Sequence, residues 1–551
     1  MKLPTSFLVS VVVLAALAAH QWRDAVDWVF ASFRAIDSDA SEPYDPHDIG
    51  PFRGLLMDND GYLHPDVEIT PPSSTQERGL RTTAPLAKGT TVIEVPKKLM
   101  LTVSRLAQQS SLAAAVARDG DRMPLGPVTV VIAFLTYALS GGCRTGGRPS
   151  ISSSTQRPPP SSAVPLVSPC ERLKVWLKDL RALDTPAVPF TVEDGNETLL
   201  TTHLSRSPEG EWAATLRRGV LDSYNRVVSD TDRSLLGDSF LLESFFKSVA
   251  LHSSRSFMVD GELVMIPVID FLNDYGLARQ NVLWEFIRDI DVMRVRATRD
   301  VAAGEELLGW YGPHSNAHLL TVYGYTSPPR HEMSWSCRIG TAERLAKFHP
   351  KWDRSWRTVP IELHAPANPH NITSPSADGV VLPPAPPPGT LPNTPPKEVI
   401  ELSRLLHRKL IDETPMLTAL EAWRGVWAIW EQTLTGIMAN SQYEKDPQLT
   451  KAVKRVAKRR KRLEKSAGST GEVDVSRRAV VWWGERDTDG KDATNMDTAA
   501  VNAMRVKMSE YLALLTYREA FRILQGKKTM DVSFTAEQWM AQQLHRALVQ
   551  R

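Results

Sequence analysis

The chain is poor in cysteine. Its 551 residues hold three, Cys143, Cys170 and Cys337, with no Cys-x-x-Cys spacing. That excludes a disulfide scaffold and a cysteine-based multi-zinc module, and composition reads as a reduced-type protein. A charge excess of either sign is also missing. The chain has 65 Lys and Arg against 63 Asp and Glu, so net charge does not select nucleic acid as a partner. Common catalytic signatures are absent: there is no phosphate loop, no dinucleotide glycine fingerprint, no H-E-x-x-H and no G-x-S-x-G elbow. The 13 histidines form no metal-ligand spacing, and a lone one such as His252 reads as structural.

What is present is apolar residue and proline. A hydrophobic content of 42% supports sizeable cores and two or three domains. Lys2 precedes an apolar stretch, Phe7 to Ala19, broken only by Ser10. It is short for a bilayer span, so residues 1–35 read as a signal peptide or, with the apolar spacing from Trp22 to Phe33, a membrane anchor. Membrane-associated or secretory localisation is the expectation, with cytoplasm, nucleus or an organelle as alternatives. Sequons at Asn196 and Asn371 fit the secretory route. Residues 139–169 read as a disordered insertion, and 466–498 are a polar, Gly/Asp/Thr-rich segment that holds Trp482-Trp483. Residues 366–396 hold eleven of the prolines and read as an extended loop. Lys451 to Lys465 carries nine Lys or Arg and one acidic residue, a solvated helix face or a grip for an acidic protein surface.

Short strands are expected early and in the middle of the chain. Leu80–Thr83 and Thr90–Val95 flank a turn at Lys88-Gly89. Met293, Val295 and Ala297 alternate with Arg294 and Arg296, the pattern of a half-buried strand. Leu263–Pro267 and Asn281–Phe286 also read as strands. Residues 103–138 and 169–258 are helical in pattern. Beyond residue 397 the spacing predicts helices over Glu398–Leu410, Met416–Met438, Leu449–Lys465, Val501–Leu524 and Ala536–Val549. This order does not alternate strand and helix, so the fold class is α+β and not a doubly wound parallel sheet.

Two stretches place polar residues beside buried-type runs. One holds Arg255 and Phe257, then Asp270, Asn273 and Asp274. The other holds Tyr311, Tyr323 and Tyr325. A buried Arg or Asn demands hydrogen-bond partners. Three tyrosines suit an aromatic slot for an amine, and equally a plain aromatic core.

Taken in order, these segments resemble the SET-domain protein methyltransferases, in the subgroup of the Rubisco large-subunit lysine methyltransferase and the actin-histidine methyltransferase. The resemblance rests on Glu77 to Thr83, Ala87 to Gly89, Val95 to Thr102, Leu173 to Leu180 with Pro189-Phe190, the two stretches above, and Tyr517 to Ala520 with Ile523-Leu524. Two positions depart from the family pattern. Asn273-Asp274 stands where the family usually has Asn-His, and Glu77 replaces the first glycine of the opening Gly-x-Gly.

The resemblance implies a SET domain of short β-strands over 50–330 with a helical insert (103–258). An all-α substrate-binding domain over 397–551 follows. It implies S-adenosyl-L-methionine as cofactor, no metal, and a protein substrate. Gln76, Arg78 and Gly79 would present backbone groups to the cofactor, and Arg255 would hold its carboxylate. Asp270, Asn273 and Asp274 would bind its amino-acid end and adenine, with Tyr325 flanking the adenine or sulfonium. Tyr311 would be catalytic, and Phe257 and Tyr323 would line the acceptor channel. The expected activity is protein-lysine N-methylation of a non-histone protein. A histidine acceptor and a non-catalytic SET-like scaffold are the alternatives.

Overall fold

The computed structural model describes residues 45, 48–70, 78–143, 168–191, 204, 206–237, 240–276, 279–312, 314–326, 334–353, 356, 361–366, 395–447, 449–451, 454, 498–527 and 536–549. The apolar N-terminal segment, Gln76, most of the three low-complexity stretches and nearly all of the basic run lie outside these residues. Ile49–Arg551 forms a compact unit with two large hydrophobic cores.

The first core gathers residues between Phe52 and Leu307. Its strands are short: β1 (Tyr62–Leu63), β2 (Val67–Thr70), β3 (Gly79–Thr82), β4 (Thr91–Pro96), β5 (Ser256–Val259), β6 (Glu262–Met265), β7 (Asn273–Asp274), β8 (Val282–Ile287), β9 (Val292–Ala297) and β10 (Leu308–Gly309). Strands β1, β4, β9 and β8 make one antiparallel sheet in that order. In β9 the expected alternation holds: Met293, Val295 and Ala297 are buried. Arg294 turns outward and pairs with Glu94 directly across on β4 (2.6 Å), a cross-strand arrangement that reinforces register. Leu80–Thr83 and Thr90–Val95 do not form a pair with each other. β3 bonds to β2, while β4 bonds to β1 and β9, because the chain from Leu86 to Gly89 is bound instead to Val301 and Ala297. Gly89 takes φ +87°, which glycine adopts at no steric cost.

Helices fill the interval between β4 and β5. Thr129–Leu139 is buried on nearly all sides, as its continuous apolar sequence requires. Lys174–Ala182 buries Trp176, Leu177, Asp179 and Leu180. Leu242–Arg255 runs directly into β5 and delivers Arg255. A disulfide joins Cys143 to Cys170 (Cα–Cα 5.4 Å) across a sequence separation of 27. This corrects the reduced-type reading: two of three cysteines are paired at the base of the Ser/Pro-rich insertion, and Cys337 is buried outside that disulfide.

The second core gathers residues from Cys337 to Leu548. The helices Lys397–Glu413, Ala419–Asn440, Thr498–Leu524 and Ala536–Val549 pack around Trp430, which stacks on Phe521 (ring centroids 5.7 Å). A capping box, Thr418 with Glu421, starts the second of these. A hairpin, β11 (Ser334–Gly340) with β12 (Ile361–Pro366), joins this core. The sequence reading left that hairpin out. A small apolar cluster, Leu204, Ala317, Leu320, Ala503 and Val506, lies against the helix Thr498–Leu524. Beside it a buried polar group ties the elements together. Glu510 Oε1 accepts from Glu209 N (2.8 Å) and its Oε2 from the Tyr443 hydroxyl (2.6 Å), while Glu209 accepts from Thr321 and Arg338. Thr321 belongs to a π-helical turn, Leu319–Tyr323, that carries Tyr323.

Candidate active site

The site is built on the segment from Pro267 to Asp274. Val268, a buried β-branched residue, has φ +70° and ψ −43°, and Ile269 N donates to Pro267 O (2.8 Å). This is a strained γ-turn, of the kind held only where the surroundings over-determine it. It delivers Asp270 into a buried polar group. Asp270 Oδ2 accepts from Trp176 Nε1 (3.1 Å) and from Arg255 (3.4 Å), and Arg255 also donates to the Asp270 carbonyl (2.8 Å). Next to it Arg78 donates two bonds to Asp179 (2.6 and 2.7 Å) and lies over the Phe271 ring (4.4 Å). Burial pushes the Asp270 carboxyl up to about 6, with Arg255 opposing that shift and Asp179 adding to it.

Two atoms in this group, Asp270 Oδ1 and Arg255 Nε, are buried and lack a partner among the described residues. The Arg255 side chain is 23% exposed. One of its two terminal nitrogens bonds to a described residue; the other bonds to no described residue.

Asn273 and Gly79 meet above this floor. Asn273 Nδ2 donates to Arg78 O (3.2 Å) and to Glu306 Oε1 (2.8 Å). A Cβ at Gly79 would stand 2.5 Å from Glu306 Oε1 and 2.7 Å from Asn273 Nδ2, so only glycine permits this approach. Asn281 pins the other side: it donates to Glu306 O (2.7 Å) and accepts from Leu308 N (2.7 Å). These bonds hold β10 parallel to β7, with Gly309 opposite Asp274.

Five rings run from Phe257 to Tyr325. Phe257 meets Trp284 edge-on (centroids 5.4 Å), Trp284 meets Tyr311 (6.4 Å), Tyr311 meets Tyr323 (4.7 Å) and Tyr323 meets Tyr325 (6.3 Å). A Cβ at Gly309 would run into the Trp284 ring, so this glycine makes room for the indole. The Tyr311 hydroxyl donates to Leu272 O (2.7 Å), and the Tyr325 hydroxyl to Asp274 Oδ2 (2.7 Å). Burial pushes the Tyr323 hydroxyl up to about 12, with the charge of Asp274 adding to it; Tyr325 is raised further by the same causes and by its bond to Asp274. The Tyr323 and Tyr325 hydroxyls keep their protons at neutral pH.

Arg78, Gly79, Arg255, Phe257, Asp270, Asn273, Asp274, Tyr311, Tyr323 and Tyr325 are thus gathered at one place; Gln76 lies outside the described residues. The sequence reading missed Trp284, Glu306, Trp176 and Asp179 as site residues. It also missed His314 and His318, stacked at 4.1 Å beside Tyr323. Among the described residues no group of three or more His, Cys, Asp or Glu is placed to hold a metal, and no helix is long and apolar enough to cross a membrane.

A SET-domain family model matches residues 77–312. SET domain-containing protein 4 of Mus musculus is 22% identical over 303 residues, 52% of this chain and 61% of that protein. N-lysine methyltransferase setd6 of Xenopus tropicalis is 38% identical over 65 residues, 12% of this chain and 13% of that one. The chain therefore spans less than two thirds of the length of these curated relatives. Among solved structures, Rubisco LSMT bound to AdoMet is similar with a TM-score of 0.50 and 13% identity, covering 88% of this chain and 93% of that one. The SET domain of LSMT bound to lysine and AdoHcy has a TM-score of 0.50 at 14% identity, over 87% and 92%. Residues 77–312 thus match the SET domain, and the chain shares its fold with these solved structures.

Proposed function

We propose that the chain is an S-adenosylmethionine-dependent protein-lysine N-methyltransferase acting on a non-histone protein. The observation that carries this reading is the run of rings from Phe257 to Tyr325 beside the Arg255–Asp270 floor. It is supported by the setd6 match and by the LSMT structures, bound to AdoMet and to lysine with AdoHcy.

The residues present fit the cofactor. Arg255 offers its carboxylate the terminal nitrogen that no described residue uses. The Arg78–Gly79 backbone would face its amino-acid end, at the close approach to Asn273 and Glu306 that only glycine permits. Asp270, Asn273 and Asp274 would hold its amino-acid end and adenine, and Tyr325 would flank the adenine or sulfonium. When bound, the cofactor supplies a methyl group activated by its positive sulfur. The chain's own residues position the acceptor in line with that bond, which is the larger part of catalysis in such a displacement. A lysine amine has a reference pKa of about 10.4, and the rings of Phe257, Trp284 and Tyr323 disfavour its charged form. The Tyr311 oxygen, its proton committed to Leu272 O, accepts from the amine N–H and orients the nitrogen lone pair.

The N-terminal apolar stretch and the Cys143–Cys170 disulfide support a secretory or membrane-attached location, since disulfides persist in oxidising compartments. The basic run supports a substrate with an acidic surface; of its residues Lys451 and Lys454 are described, and both are exposed. Calorimetry of the full chain with S-adenosylmethionine and S-adenosylhomocysteine tests the function. Saturable binding of both is expected, with labelled methyl recovered on lysine of an acceptor protein. A folded chain that binds neither would sink the enzyme reading and leave the scaffold alternative, and label recovered on histidine would replace the acceptor.

A further inference from the structure

One helix of the second core grips the segment that carries Tyr323 and Tyr325. Along Thr498–Leu524, Asn502, Ala503, Val506 and Glu510 recur at helical spacing and share a face. That face meets residues 317–326. Midway, Ala503 and Val506 pack with Leu204, Ala317 and Leu320. Toward the helix start, the Thr326 hydroxyl donates to Asn502 Oδ1 (2.6 Å), and Arg505 donates to the Thr326 carbonyl and hydroxyl oxygens (3.2 Å each). Further along, Glu510 Oε1 accepts from Glu209 N (2.8 Å), and the Glu209 carboxylate accepts from the Thr321 hydroxyl. Tyr323 and Tyr325 thus lie between two tied residues, Thr321 and Thr326. The turn Leu319–Tyr323 is π-helical, an uncommon form that is frequent at functional sites.

Glu510 is the titratable member of this clamp, and it is fully buried. Its Oε2 meets the Tyr443 hydroxyl (2.6 Å), on which Cys337 also acts. Glu209 stands beside it and also accepts from Arg338 of β11 (3.4 Å). Lys507, one turn back, pairs with Asp446 (3.4 Å) and acts on Glu510 as well. Burial pushes the Glu510 carboxyl up to about 8; the Tyr443 bond opposes that shift and the charge of Glu209 adds to it. The folded value lies above the unfolded one, so the hold is complete at acid pH and is lost as pH rises to about 8. Ionisation puts a second carboxylate charge into the group that holds Thr321. A buried charge of this kind is relieved when the clamp opens to water.

We propose that this face of Thr498–Leu524 positions Tyr323 and Tyr325, and that Glu510 is its pH-sensitive latch, closed while neutral and loosened when ionised. The role of the two tyrosines in an acceptor slot rests on the methyltransferase reading. The latch itself stands on the clamp.

Hydrogen exchange of the full chain, corrected for the intrinsic effect of pH, reads the latch at residues 319–326. Wild-type protection there should fall about tenfold or more between pH 6 and pH 8. Glu510→Gln mimics the neutral carboxyl, keeping an oxygen for Glu209 N and a donor for Tyr443, and should hold protection within about twofold. Thr321→Val cuts the tie to Glu209. Its protection at 319–326 should be lower and no longer change with pH, while its melting temperature still declines with pH as in the wild type. A wild type without the fall, or a fall that persists in Glu510→Gln, overturns the latch. A fall that persists in Thr321→Val shows Glu510 acting on the whole fold and not through the turn, which overturns it too. Calorimetry with S-adenosylhomocysteine at pH 6 separates the two readings. A wild type that shows the exchange pattern but binds no nucleoside keeps the latch and removes the methyltransferase reading.

Discussion

Asp179 is the residue whose removal should damage the site most while touching none of its ligands. Its side chain is fully buried and receives two bonds from Arg78, itself only 10% exposed. Asp179→Ala would remove both bonds and strip a buried guanidinium of its carboxylate. Breaking such a pair from one side costs about 3–5 kcal/mol, or roughly 10 °C in the melting transition of the first core. Asp270 would also lose a neighbouring negative charge that raises its pKa, so its carboxyl should titrate lower than in the wild type. Thermal unfolding of the ligand-free protein measures the first effect. The double variant Arg78→Met with Asp179→Leu is the counter-test. Replacing both charges by apolar groups should recover most of the loss, because the desolvation cost disappears with the pair. A single variant that melts within about 2 °C of wild type would refute the argument, since that is under about 1 kcal/mol.

Gly309→Ala should displace the Trp284 ring from Tyr311 and lower kcat/KM by about 100-fold, with S-adenosylhomocysteine affinity unchanged; steady-state kinetics and calorimetry check it. Glu510 is pushed up to about 8 by burial, so its folded pKa lies above its unfolded one. Its stabilising contribution is complete at acid pH and is lost as pH rises towards 8, at about 1.4 kcal/mol per pH unit. Glu510→Gln should flatten the decline in melting temperature between pH 5 and pH 8, measured by calorimetry. Non-reducing peptide mapping should recover Cys143 linked to Cys170 with Cys337 outside any disulfide, and replacing both paired cysteines by serine should cost about 3–4 kcal/mol in the chain-entropy account.

Patterns confined to a few neighbouring residues were legible in the sequence. The alternation from Met293 to Ala297 marked β9, and the helical spacing beyond residue 397 marked the second core's helices. Resemblance carried Arg255, Asn273 and Tyr311, which the fold does gather. The residues missed act across long separations. Asp179 meets Arg78 from 101 positions away, and Trp176 meets Asp270 from 94. Nothing in a buried helix face distinguishes an aspartate with a distant arginine from one at the surface. Trp284 looked like any large residue on a strand until Gly309, 25 positions on, left space for its ring. The cysteine pair went unread for the same reason: pairing depends on a Cα separation that a count cannot supply. The β3 and β4 strands were recognised but not their partners, since the bonds that separate them come from Ala297 and Val301.

Tyr311→Phe tests the central claim most directly. Removing the hydroxyl keeps the ring against Tyr323 and Trp284 and deletes only the oxygen that orients the acceptor. Labelled methyl transfer to an acceptor protein should fall by about 100-fold or more while S-adenosylmethionine affinity stays within about twofold of wild type. Undiminished methyl transfer by Tyr311→Phe would contradict the account.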